Sequence, residues 1–154
     1  MVAVSNGRVD CVAELLHAGA DQNAAGTSQS PIRLAVLRDD VACVRLLLQR
    51  SPGPADAADL LGLAVVSGAS CDMIEALVRS GRCAIEDGGG RSPARPLMLA
   101  ALKGRSDAVD LLLDAGAVVD AALTDEHDRR RLTALQFAVS AAVDPHYRAD
   151  YCRR

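Results

Sequence analysis

The sequence predicts an all-α fold, a solenoid of stacked helix-turn-helix units joined by hairpin-like loops. Three observations point there. The phrase "ELLHAGADQNAA" at 14–25 returns as "LLLDAGAVVDAA" at 111–122, with Leu-Leu, Ala-Gly-Ala and Ala-Ala in the same order. An Ala following an apolar residue recurs at Ala3, Ala35, Ala64, Ala100 and Ala138, at intervals of 32, 29, 36 and 38 residues. Finally, half the chain is apolar although it holds one Phe, two Tyr and no Trp, so Ala, Leu and Val must carry the burial. Small side chains let helix backbones approach closely, which suits thin stacked layers. A fixed period of about 20–50 residues is the signature of repeat architectures.

Each unit reads as two short helices. The first carries the Ala anchor, as in "SPIRLAVL", "DLLGLAVV", "RPLMLAAL" and "TALQFAVS". The second carries apolar residues at helical spacing: Val12, Leu15 and Leu16, then Val44, Leu47 and Leu48. Ile74, Leu77 and Val78 repeat the set, as do Val109, Leu112 and Leu113. Asp10, Asp72 and Asp107 fall in the first turn of this second helix, where a carboxylate favours the positive end of the helix dipole. Gly19, Gly81 and Gly116 then stop it, because Gly accepts the left-handed conformation common at helix ends. Helices this short, below about 12–15 residues, barely form alone in water and need neighbours to cover their apolar stripes.

With these anchors in place, the chain resembles the ankyrin-repeat family, whose unit of about 33 residues carries a T-P-L-H-x-A signature. That signature survives as "SPIRLA" (30–35), "DLLGLA" (59–64), "RPLMLA" (95–100) and "TALQFA" (133–138). The family's Gly-Ala-Asp-x-Asn ending stands at Gly19, Ala20, Asp21 and Asn23, and partly at Gly116, Ala117 and Asp120. The signature His is replaced by Arg33, Gly62, Met98 and Gln136, which predicts that its turn hydrogen bonds are partly lost. The chain is expected to be one repeat domain over 1–154, with units near 1–24 (partial), 25–56, 57–86, 87–122 and 123–154 (partial). Ala3 is already an anchor, and a last helix is expected from Asp144 and Pro145 onward with no Gly stop. Both ends therefore predict part of a longer array, with exposed apolar end faces. Two loops exceed the norm, "RCAIEDGGGRSPAR" (82–95) and "AVVDAALTDEHDRRRLTA" (117–134). Insertions in such arrays collect on one face, often the binding one.

The resemblance implies a protein-interaction module that grips its partner with loop tips and the concave side of the first helices. Carried over by position, that surface comprises Thr27, Gln29, Leu37, Arg38, Val66, Ser67, Arg91, Ala94, Leu102, Lys103, Arg129 and Arg130. Leu37 and Leu102 are the apolar contacts, rimmed by Arg38 and Lys103, in the usual anatomy of a hot spot. The alternative that family analogy offers is the substrate-recognition part of a larger enzyme or of a ubiquitin-ligase adaptor.

Other chemistry finds little support. Gly88-Gly89-Gly90 follows two acids and precedes Pro93, without the Lys and strand of a phosphate loop, so it reads as a flexible tip. His127 among Asp125, Glu126 and Asp128 reads as a solvated charge run rather than a metal site. Cys152 and His146 lie six residues apart and would point to different sides of a helix. Cys11 and Cys43 hold the same place in successive units and read as small apolar filler. Arg129-Arg130-Arg131 is an anchor for an acidic partner, or a triplet neutralised by its neighbouring acids. No catalytic residue, metal or cofactor is assigned, and no small-molecule substrate is expected. A net charge of −3 and a pI of about 5.5 argue against nucleic acid. No apolar run approaches the roughly 18–20 residues of a membrane span. The start "MVAVSNGRVD" lacks a signal core, and five cysteines without a C-x-x-C pair suit a reducing compartment, so a cytoplasmic or nuclear location is expected.

Overall fold

A Gly or Asp held in the left-handed backbone region ends six of the eight described helices, and this local rule sets the architecture. The computed structural model of the protein describes residues 9–21, 30–50, 59–86, 94–124 and 131–143. Within them lie eight helices: α1 (Val9–His17), α2 (Pro31–Leu37), α3 (Val41–Arg50), α4 (Leu60–Ser67), α5 (Cys71–Arg79), α6 (Pro96–Lys103), α7 (Ser106–Asp114) and α8 (Ala134–Val143). Two strands, β1 (Leu123–Thr124) and β2 (Arg131–Leu132), pair antiparallel with Leu123 opposite Leu132. This small hairpin falls inside the long loop expected at 117–134.

The helices form two layers. The first helices stack in the order α2, α4, α6, α8, and the second helices in the order α1, α3, α5, α7. Helices α2 and α3, α4 and α5, and α6 and α7 also pack within their own pairs. The anchors Ala35, Ala64 and Ala100 are completely buried, because only a methyl group fits where the layers approach. Helix α4 buries Leu60, Leu61, Gly62, Ala64 and Val65, leaving scarcely any polar face, whereas α5 buries Met73, Ile74, Ala76 and Leu77 and turns Asp72 and Arg79 outward. The core is a continuous seam running from Val12 to Phe137 rather than a single centre.

The repeated phrase has a common geometry. Gly19 and Gly116 take φ of 87° and 92°, and the N–H groups of Ala20 and Ala117 donate to the carbonyls of Leu15 and Leu112, both at 2.9 Å. This five-residue reach closes the helix end by the Schellman pattern. The turns between paired helices use the same device: Gly68 and Gly104 adopt φ of 78° and 68°, and Asp39 stands in the same place at 56°. The N–H groups of Asp40, Ala69 and Arg105 then reach Ala35, Ala64 and Ala100 at 2.9–3.0 Å. One unit carries an extra residue here. Ala69 turns inward and Ser70 becomes the cap of α5, its Oγ accepting from the N–H of Met73 at 3.3 Å.

In α8, the last first helix among the described residues, Leu135 and Val139 are 74% and 58% exposed. Their counterparts one to three units earlier, such as Ile32, Leu61 and Leu97, are buried. The segment from Asp144 onward, expected to be helical, lies outside the described residues.

Candidate functional site

The surface expected from the sequence runs along the C-terminal ends of the first helices. Positions two and three beyond each Ala anchor hold Leu37 and Arg38 in α2 and its cap, Val66 and Ser67 in α4, and Leu102 and Lys103 in α6. Stacking of the three helices sets these pairs in a row. Leu37 is 55% exposed, Arg38 and Ser67 are exposed, and Val66 and Lys103 are partly so. Two residues leave the expected surface, Leu102 from the row and Ala94 from the loop before α6. Leu102 and Ala94 are both 0% exposed, so neither presents a surface to a partner. The reason is packing: α6 sits between α4 and α8, and Phe137, Leu123 and Leu132 extend the core around it. Leu37 has α4 as its first-helix neighbour on one side and keeps its side chain outside. Thr27, Gln29, Arg91, Arg129 and Arg130 lie outside the described residues.

The row is braced by polar contacts between units, most of them about 30 residues apart in sequence. Asp39 Oδ1 accepts from both the N–H and the hydroxyl of Ser70, at 3.0 and 2.9 Å. Arg33, which replaces the signature His, pairs with Asp59 at 3.2 Å, reaching the N-terminus of the next first helix. Gln136, another replacement, accepts from the N–H of Thr133 at 2.9 Å, the half of a capping box that a Gln at this position supplies. Gly62 and Met98, the remaining replacements, are buried. Glu86 ties the loop after α5 to the next unit, engaging Arg95 with one oxygen and the N–H of Val118 with the other at 2.7 Å. The caps are uneven, however. Ser30 takes the N-cap position of α2, yet its Oγ is buried with no hydrogen-bond partner among the described residues.

Four titratable groups, Cys43, Cys71, Cys83 and Asp107, are shifted by burial or by a further contact between units. The thiol of Cys71 donates to Asp107 Oδ2 at 3.2 Å, and Arg105 Nη2 donates to the same oxygen at 2.6 Å. The Arg105 guanidinium, aided by the thiol, holds the Asp107 carboxyl well below the usual carboxylate range. The hydrogen bond to Asp107 in turn raises the Cys71 thiol. Burial, with Asp40 beside it, pushes Cys43 up to about 12, and burial pushes Cys83 up to about 11. Neither is an activated nucleophile, which needs a lowered pKa. Cys11 is exposed, which corrects its reading as filler, while its counterpart Cys43 is fully buried. Among the described residues no three His, Cys, Asp or Glu side chains converge as metal ligands, and no helix is long and apolar enough to cross a membrane.

One feature of the opposite layer escaped the sequence. Arg45, Leu48 and Gln49 of α3 face Ala76, Arg79, Ser80 and Arg82 at the end of α5 across a cleft of about 500 Å³. Aligning the second helices would have shown Arg45 and Arg79 on outward positions, but nothing local says that they face one space.

The layered pairs, the buried Ala anchors and the Gly-closed second helices agree with the family comparisons. The pattern described as Ankyrin repeats (3 copies) matches residues 1–87, and that described as Ankyrin repeat matches residues 95–123. Among curated proteins, none matches the chain. Ankyrin repeats are generally protein–protein interaction modules, typically without catalytic activity. The first pattern alone spans more than half of the 154 residues, and the chain belongs to the ankyrin-repeat family.

Proposed function

We propose that this chain binds a partner protein through the row of first-helix ends and the neighbouring loop tips, on the concave side of one continuous array. The observation that carries this reading is Leu37. It is a large apolar side chain, 55% exposed, at the end of a helix whose other apolar residues are mostly buried. Exposed Arg38 beside it, with Ser67 and Lys103 farther along, supplies a polar rim around an apolar centre that Val66 extends. The surface so defined is smaller than the sequence pattern suggests, since Leu102 and Ala94 belong to the core. Thr27, Gln29, Arg91, Arg129 and Arg130 complete the proposed surface, and the units near 1–24, 25–56, 57–86, 87–122 and 123–154 are read as a single domain.

The test places a photo-crosslinking residue at position 37 and, as a control, at position 114 on α7. A protein captured from cell extract at position 37 but not at 114, and lost when Arg38→Glu is added with helix content unchanged, supports the mapped row. Equal capture at both positions, or capture indifferent to Arg38→Glu, removes it.

A further inference from the structure

The chain carries a net charge of −3, yet its second-helix layer holds a local concentration of positive charge. The cleft of about 500 Å³ between α3 and the end of α5 is lined by Arg45, Arg79 and Arg82, with Leu48 and Ala76 as its nearly buried floor. Its size falls in the range of pockets that take small ligands or short peptide segments, about 300–1,000 Å³. Arg45 and Arg82 are exposed and have no carboxylate partner among the described residues. Arg79 meets Glu75 at 2.7 Å, but its side chain is 78% exposed. Such an exposed i,i+4 pair is weak and gives way readily to a competing carboxylate. Ser80 Oγ is engaged at home, donating to the carbonyl of Leu77 at 2.6 Å and accepting from the N–H of Arg82 at 3.3 Å. Three guanidinium groups therefore face the cleft against one local carboxylate, above a small apolar floor.

We propose that this cleft binds an acidic peptide segment of a partner protein, with one apolar side chain set on Leu48 and Ala76 and flanking carboxylates on Arg45, Arg79 and Arg82. The planar guanidinium fork matches a carboxylate bidentately, and such charge-assisted pairs are the stronger kind of hydrogen bond. A bare anion would satisfy the arginines but leave the floor uncovered; a peptide alternating acidic and apolar residues satisfies both. The cleft lies on the layer opposite the Leu37 row, so the two surfaces stand or fall separately.

The experiment titrates the intact chain into a fluorescently labelled hexapeptide alternating glutamate and leucine, read by fluorescence polarisation. Saturable binding is expected, weakening with added salt and weakening about tenfold in each of Arg45→Ala and Arg82→Ala. Leu37→Asp should leave it unchanged, and circular dichroism should find the same helix content in every variant. Absence of saturable binding overturns the proposal, as does unchanged affinity in both arginine variants. Equal binding of a lysine–leucine peptide, or displacement of the acidic one by millimolar inorganic phosphate, overturns it as well.

Discussion

Asp39 and Ser70, 31 residues apart in sequence, are joined by two hydrogen bonds to one carboxylate oxygen, from the Ser70 N–H at 3.0 Å and from its hydroxyl at 2.9 Å. The same hydroxyl accepts from the N–H of Met73, so one side chain both starts α5 and clasps the preceding turn. Ser70→Ala removes the cap and half of the clasp and should destabilise the fold by about 1–2 kcal/mol. Asp39→Gly should cost less than Asp39→Ala, because φ of 56° is easy for Gly and strained for Ala. Urea denaturation of the two single variants and of Asp39→Ala with Ser70→Ala measures the coupling. An additive double variant would mean that the two residues do not cooperate.

Ser30 makes the opposite case. Its hydroxyl is buried without a partner among the described residues, which carries a desolvation penalty with nothing in return. Ser30→Ala should therefore stabilise the protein, by about 1 kcal/mol, against the general rule for N-cap serines. A lowered denaturation midpoint would show that the hydroxyl is satisfied in solution.

Leu37 and Leu102 occupy the same place relative to their Ala anchors but opposite environments, 55% and 0% exposed. Leu37→Ala should change stability by less than about 0.5 kcal/mol. Leu102→Ala should cost about 2–5 kcal/mol through lost burial and an unfilled cavity. Similar losses in thermal unfolding of the two variants would contradict the packing described for α6.

The thiols should divide by environment. In a Cys152→Ser background, Cys11 and Cys71 are exposed and should react with a thiol reagent in the native state. Buried Cys43 and Cys83, raised to about 12 and 11, should react only on unfolding. Asp107, meanwhile, is a carboxyl whose folded pKa is depressed. Its contribution to stability is present above the ordinary carboxylate range and is lost as pH falls through and below it. The difference in melting temperature between the wild type and Asp107→Asn should therefore shrink from pH 7 to pH 3. A constant difference would exclude the Arg105–Asp107 pair as its source.

Leu135 and Val139 expose an apolar face on α8, the last first helix among the described residues. Changing both to Glu should lower concentration-dependent self-association in sedimentation velocity without loss of helix, since exposed apolar patches drive association. Undiminished association would place the sticky surface elsewhere.

Much of the fold was determined by sequence alone because its rules are local. An Ala where helices cross, an apolar stripe at helical spacing and a Gly able to take a positive φ act within one helix and its end; Ala64 and Gly116 could be read without knowing any neighbour. Tertiary structure decided what depends on a residue about one unit away. Whether a ridge leucine is surface or core rests on which helices flank it, as Leu37 and Leu102 demonstrate. That Asp39 could replace a Gly, that Arg33 and Gln136 would find partners where His is lost, and that Arg45 would meet Arg79 and Arg82 across one cleft are likewise outcomes of stacking. The repeat pattern sets which stripe of each helix is apolar, while the spacing and tilt between successive helices set which polar groups meet.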